Sequence, residues 1–132
     1  MVTSHMENLA KHQELTFRTI AMPSDTNPAG DIFGGWLMSQ MDLAAFVRSS
    51  EISRGRTVTM AVNQMVFSRP VKGGDTVCIY TRPVKIGRTS VSLEVEVWRR
   101  QGIGPREKVT EGLFVMVAVD GDGKSRPVDA QL

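Results

Sequence analysis

Only one stretch of this chain carries an apolar pattern of helical length. Nearly everything after it is written in strand period. Residues 32–52 read as a helix, and beyond residue 56 the chain turns rich in Val, Thr and Met. Residues 90–98 alternate strictly, with Val91, Leu93, Val95 and Val97 on one side and Ser92, Glu94, Glu96 and Trp98 on the other. That is the mark of an antiparallel strand with one face in the core and one in water. Further strands are expected over residues 15–22, 57–67, 76–84 and 109–119, joined by turns such as Lys72-Gly73-Gly74-Asp75 and Asp120-Gly121-Asp122-Gly123. Pro83 is expected to mark a bulge or a strand edge. Asp31 is the expected N-cap of the helix. One helix of about 20 residues cannot cover both faces of a five-stranded sheet. The fold class is therefore α+β, with the helix wrapped on one face and the other face open to solvent or to a second subunit.

The chain has 132 residues, enough for one domain with a real core. Residues 1–13 are expected to be a disordered leader, within which Ser4-His5-Met6 resembles a vector remnant, and residues 14–132 a single domain. The first twenty residues lack the apolar core of a signal peptide, and no apolar run approaches the ~20 residues of a membrane span. The single cysteine, Cys78, fits a reducing compartment, so a cytoplasmic location is expected. A net charge of +2 does not argue for nucleic acid.

The residue inventory narrows the chemistry. Both histidines, His5 and His12, lie in the expected leader. A Ser-His-Asp triad, a Cys-His pair and a His-ligated zinc are then excluded from the folded body. Cys78 sits in an apolar strand and reads as a core residue. No phosphate-loop or dinucleotide fingerprint is present. An enzyme built from this chain works with carboxylates, amides, hydroxyls and backbone dipoles.

Of fourteen carboxylates, one is out of place. Asp42 lies inside the apolar run from Phe33 to Phe46, on a helical face shared with Gly35, Met38, Ala45, Phe46 and Ser49. Such a face is normally buried, and burying a carboxylate is costly. Either Asp42 is a general base or nucleophile, or it bonds to neighbouring backbone at a wet subunit edge. Gly34 and Gly35 weaken the helix start and offer free N–H groups there, a candidate oxyanion hole. Asp42 lies about two turns further on, so a base from one chain and an oxyanion hole from another would fit a dimer. Asn27, in the loop Asn27-Pro28-Ala29-Gly30-Asp31, is either a turn residue or an amide that orients water or a carbonyl. The basic residues Arg69, Lys72, Lys85, Arg88, Lys124 and Arg126 sit in turns, and Arg88-Thr89-Ser90 is a fair phosphate-binding set.

The stretch from Met22 to Asp42, Met-Pro-Ser-Asp-Thr-Asn-Pro-Ala-Gly-Asp-Ile-Phe-Gly-Gly-Trp-Leu-Met-Ser-Gln-Met-Asp, resembles the signature of bacterial hotdog-fold acyl-coenzyme A thioesterases of the YciA type. Gly55-Arg56-Thr57-Val58-Thr59, Arg69-Pro70-Val71 with Gly74-Asp75, Glu94-Val95-Glu96-Val97-Trp98 and Val117-Ala118-Val119-Asp120 extend the likeness over most of the chain. The resemblance implies a hotdog fold, a long helix wrapped by a five- to six-stranded antiparallel sheet. It implies homodimers assembled into hexamers, and hydrolysis of acyl-coenzyme A without metal or cofactor. It assigns catalysis to Asp42 and Asn27, with the oxyanion held by Gly34 or Gly35. It places the coenzyme's phosphates near Arg88, Thr89 and Ser90, with Arg69 and Lys85 as further basic contacts. Relatives often carry two glycines soon after the aspartate. Here Ala44, Ala45 and Phe46 stand in that region, which would narrow the acyl pocket. A non-catalytic acyl-coenzyme A sensor of the same fold is the alternative. A hotdog dehydratase would need a histidine that the body lacks.

Overall fold

A computed structural model describes residues 13–128 of the chain. The expected leader lies, apart from Gln13, outside the described residues, as do residues 129–132. The chain enters through β1 (Glu14–Ile20) and a single 3-10 turn (Pro23–Asp25). It then forms α1 (Gly34–Ser53), followed by β2 (Thr57–Phe67), β3 (Thr76–Ile86), β4 (Ser90–Arg100) and β5 (Arg106–Ala118). All pairings are antiparallel, in the order β1-β3-β4-β5-β2. One long helix lies against one face of a five-stranded sheet, as the sequence predicts.

The period-two pattern decides which face is which. Val77 and Ile79 of β3, the four odd-numbered apolar residues of β4, and Phe114, Met116 and Ala118 of β5 are all buried. They form one cluster with Leu37, Met41, Ala44, Ala45 and Ile52 of the helix. Each large side chain there contributes about 1.5–3 kcal/mol by leaving water. The outer face carries Arg82, Glu94, Glu96 and Trp98, half-buried and mutually hydrogen-bonded or ion-paired. Pro83 behaves as expected: the β3–β4 register shifts between Pro83 and Lys85, and the β1 pairing ends at Thr81.

The helix starts two residues late. Asp31 is not its N-cap; Phe33 is, with no side-chain bond. The N–H of Ile32 is tied to the carbonyl of Val71 and that of Phe33 to the carbonyl of Asp25, which holds this segment extended. Asp31 instead forms an ion pair with Lys72. The other end is held by a residue the sequence reading left in a turn. The guanidinium of Arg126 donates to the carbonyls of Val119 at 2.9 Å, Ser53 at 3.2 Å and Arg56 at 3.2 Å.

Candidate active site

The loop ahead of the helix is organised around Asn27. Its Oδ1 accepts the N–H groups of Ala29 at 2.9 Å and Asp31 at 3.1 Å, and its own N–H donates to the carbonyl of Asp31. This is the local side-chain chemistry typical of Asn in turns. With Oδ1 committed to the loop, the group left to meet a ligand is the Nδ2 amide.

Immediately after the loop come Gly34 and Gly35, both exposed. Their N–H groups have no acceptor among the described residues, whereas those of Trp36 and Leu37 already bond to Phe33. The first-turn donors and the positive end of the helix dipole therefore face outward at these glycines. A Cβ added to Gly35 would meet nothing within 4 Å. Packing inside the chain does not require glycine there. A cleft of about 310 Å³ opens beside Gly34, lined by Asp31, Leu37, Phe67, Arg69 and Pro70.

Asp42 stands eight residues beyond Gly34, a rise of about 12 Å along the axis. It is exposed, not buried as its apolar run predicts. Its Oδ1 accepts a hydrogen bond from the Thr59 hydroxyl of β2. Around it the helix exposes Met38, Leu43, Phe46 and Val47, and β2 exposes Val58, Met60, Val66 and Phe67. Met60 is 68% accessible and Leu43 51%. The helix is thus apolar on two sides, and only one side meets its own sheet. The apolar run that predicted burial is real, but its cover does not come from the described part of this chain. A contiguous uncovered apolar face of this kind marks an interaction surface. It adjoins β2, which among the described residues is an edge strand with unpaired backbone groups.

The structure does not bring Asn27, Gly34 and Gly35 to Asp42 within one chain. It does bring the basic turn toward Asp42. Val91 pairs with Met116, and Met116 with Thr59, so Ser90 and Val91 stand two strand spacings, about 10 Å, from the strand that holds Asp42. Arg88 and Lys85 are exposed and carry no carboxylate partner among the described residues. Thr89 and Ser90 are half-buried, and the main chain of the turn is pinned by Ala118 and Val128. Arg69 is differently placed: its Nε lies 3.4 Å from Glu107, and its Nη1 donates to the carbonyl of Lys108. Phe46 stands one helical turn beyond Asp42 with its ring exposed.

Arg48 and Asp75 also escaped the sequence reading. Arg48 is 1% exposed on the sheet side of the helix, donating to the carbonyl of Thr81 at 3.2 Å and lying 3.5 Å from Glu14. Asp75 is no solvated turn residue: it is buried, accepts the N–H of Lys72 at 2.9 Å and pairs with Arg99. Among the described residues, the trio Glu94, Glu96 and Glu111 on the outer face is close enough to share a cation. Lys108 already bridges Glu96 and Glu111. Burial raises the pKa of Glu96, but the Trp98 indole N–H and the Lys108 charge more than offset this and leave it below the ordinary range. No helix among the described residues is long and apolar enough to cross a membrane.

A family model described as the thioesterase superfamily matches residues 29–105. The acyl-CoA thioester hydrolase YciA of Salmonella typhimurium is 56% identical over 122 residues, covering 89% of this chain and 92% of that protein. A hexameric thioesterase from Yersinia pestis superposes with a TM-score of 0.84 at 51% identity, covering 86% of this chain and 93% of that one. A hexameric hotdog fold thioesterase of Campylobacter jejuni superposes at 0.83 with 43% identity, covering 89% and 92%. The helix and sheet described above are accordingly a hotdog fold.

Proposed function

Because the chain belongs to the thioesterase superfamily, and within it to the acyl-CoA thioester hydrolases of the YciA type, we propose that it hydrolyses acyl-coenzyme A at sites completed by a second copy of itself. The observation that carries this reading is the position of Asp42: a carboxylate on an uncovered apolar face, beside an unpaired edge strand. In an isologous pair, each copy covers the other's β2 and α1, and every contact occurs twice. Covering this face removes Asp42 from water and places the loop and helix start of one subunit against the Asp42 of its partner. The 12 Å gap within one chain then becomes two complete sites. The related thioesterases of Yersinia pestis and Campylobacter jejuni are hexamers. Three such pairs would give the same assembly here.

The chemistry follows from the groups available. The N–H of Gly34 or Gly35 holds the thioester oxygen as it becomes an oxyanion, aided by the helix dipole. The Nδ2 amide of Asn27 orients the water or the carbonyl. In one route Asp42 takes a proton from water as the hydroxide adds to the carbonyl carbon. The C–S bond then breaks, and the proton passes to the departing coenzyme A sulfur. In the other route a carboxylate oxygen of Asp42 adds directly, expelling the thiolate and leaving an anhydride that water cleaves. Thr59, bonded to Asp42, fixes which oxygen faces the substrate. Arg88, Thr89 and Ser90, with Lys85 beside them, take the coenzyme's phosphates. Phe46 lines the acyl channel. Protein groups alone carry the reaction in this reading, with no metal or cofactor.

Release of free thiol from short-chain, long-chain and aryl acyl-CoA esters, with Asp42→Asn alongside, tests the proposal. Turnover that falls by about 10²-fold or more in the variant is expected. Near-wild-type turnover by Asp42→Asn overturns the role of Asp42. Tight binding of every ester without turnover points instead to an acyl-CoA sensor. Single turnover in ¹⁸O-water separates the routes, because only the anhydride route can label Asp42 itself.

A further inference from the structure

The outer face of the sheet carries a second collection of cations, at the end away from the Arg88 turn. Ile20, Thr76, Arg100 and Arg106 form one transverse row across β1, β3, β4 and β5, and Arg18 opposes Cys78 two residues along, on the same face. Together with Gly102 these residues line a cleft of about 470 Å³. Three arginines line it, and among the described residues no carboxylate does.

Arg100 and Arg106 are direct cross-strand partners, an arrangement of like charges that destabilises a sheet unless an anion intervenes. Both are held in place by neutral acceptors. Arg100 donates from Nε to the carbonyl of Gly104 at 2.8 Å and from Nη2 to that of Ile103 at 3.1 Å. Arg106 donates to the Tyr80 hydroxyl and lies 5.6 Å from the centre of that ring. Arg18 makes no ion pair among the described residues. Elsewhere on the same sheet, Arg82 and Arg99 each have a carboxylate partner. Here the positive charge is oriented by neutral groups, with no carboxylate partner among the described residues.

We propose that this cleft binds a small anion carrying two or more linked phosphates, such as a pyrophosphate or a nucleoside diphosphate. Guanidinium forks match phosphate oxygens bidentately. The strands that carry Arg18 and Arg106 lie three spacings apart, about 14 Å, and the two residues are also two positions apart along them, a wide span for a single phosphate to serve. The half-buried Thr76 hydroxyl adds a donor on the floor, and Ile20 offers an apolar wall for a nucleoside. This site is separate from the one proposed for the coenzyme's phosphates. β4 runs from Ser90 to Arg100, so the two ends stand about 33 Å apart. Occupancy here is therefore that of an effector and does not depend on the catalytic reading.

Calorimetric titration of the full chain with pyrophosphate, with ADP and with orthophosphate tests this at low and moderate salt. Saturable binding of pyrophosphate or ADP that weakens with salt is expected, and it should be tighter than for orthophosphate. Saturable binding should persist in Arg88→Ala, which weakens the turn proposed for the coenzyme's phosphates, and in that background the dissociation constant should rise at least tenfold on adding Arg18→Gln or Arg106→Gln. Tighter binding of ADP than of pyrophosphate identifies a nucleotide; equal binding identifies the diphosphate alone. Binding lost in Arg88→Ala, or left unchanged there by both glutamine substitutions, overturns the proposal, as does no saturable binding by the wild type. Thermal unfolding and oligomer mass of each variant exclude loss of fold as the cause.

Discussion

Arg126 and Gly55 are coupled, and the coupling can be worked out from their geometry. The Arg126 guanidinium donates to four main-chain carbonyls, those of Val119, Ser53, Arg56 and Pro127, and to the Ser53 hydroxyl, at 2.9 to 3.4 Å. It thereby ties the end of α1, the start of β2 and the turn after β5 to one another. Arg126→Ala removes a cation from a helix C-terminus and strands several partly buried carbonyls, which together cost about 2–3 kcal/mol. In a chain of this size the melting temperature should fall by about 8–12 °C. Gly55 sits against the same group: a Cβ built there would lie 2.4 Å from Nη2 and 3.0 Å from Cζ. Gly55→Ala must push the guanidinium off its acceptors, so it should cost about 1–2 kcal/mol in the wild type. With Arg126 already truncated, the same change should be neutral or slightly stabilising, since Ala restricts the unfolded chain. The double variant should therefore be more stable than the summed single effects predict, by about 1 kcal/mol or more. Denaturant unfolding at one fixed protein concentration reads all four corners of the cycle. Strict additivity would refute the reasoning, because it would mean that Gly55 is not needed to admit Arg126.

Three more outcomes follow from other sites. Asp75→Asn leaves Arg99 without its buried partner and should cost about 2–3 kcal/mol in denaturant unfolding, whereas Asp122→Asn in the exposed turn should change little. Glu96 has a lowered pKa, so its contribution to stability is present above the unfolded value and is lost as pH falls through the lower folded value. The drop in melting temperature between pH 6 and pH 3 should accordingly be smaller in Glu96→Gln than in the wild type. Arg88→Ala should raise the KM for acyl-CoA about tenfold and leave kcat nearly unchanged, as steady-state thiol release would read.

Much of this fold was written in local period. The alternation of β4 placed every core residue of that strand correctly, because a buried antiparallel strand leaves its two faces chemically distinct. The helix start was not local in origin. It is set by hydrogen bonds from Ile32 to Val71 and from Phe33 to Asp25, partners that no window around Asp31 contains. Arg48 and Arg126 were missed for a related reason. A lone arginine reads as solvated until the fold reveals the carbonyls that surround it. Asp42 was conspicuous for the right reason, a carboxylate in an apolar run, but its predicted burial failed because the apolar face around it meets no part of its own chain among the described residues. The glycines of the helix start were conspicuous in a helical run, and no packing within the chain claims Gly35. Gln64 in a left-handed conformation on β2 had no sequence signal at all.

The central claim is that Asn27 and Asp42 work on one substrate from different copies of the chain. Mixed oligomers of Asn27→Ala and Asp42→Asn subunits, each inactive when assembled alone, test it most directly. Random pairing makes half the pairs mixed, and each mixed pair holds one intact site and one doubly damaged site, so thiol release should recover to about a quarter of the wild-type rate. No recovery from verified mixed oligomers would contradict the account and place both residues in a site within one chain.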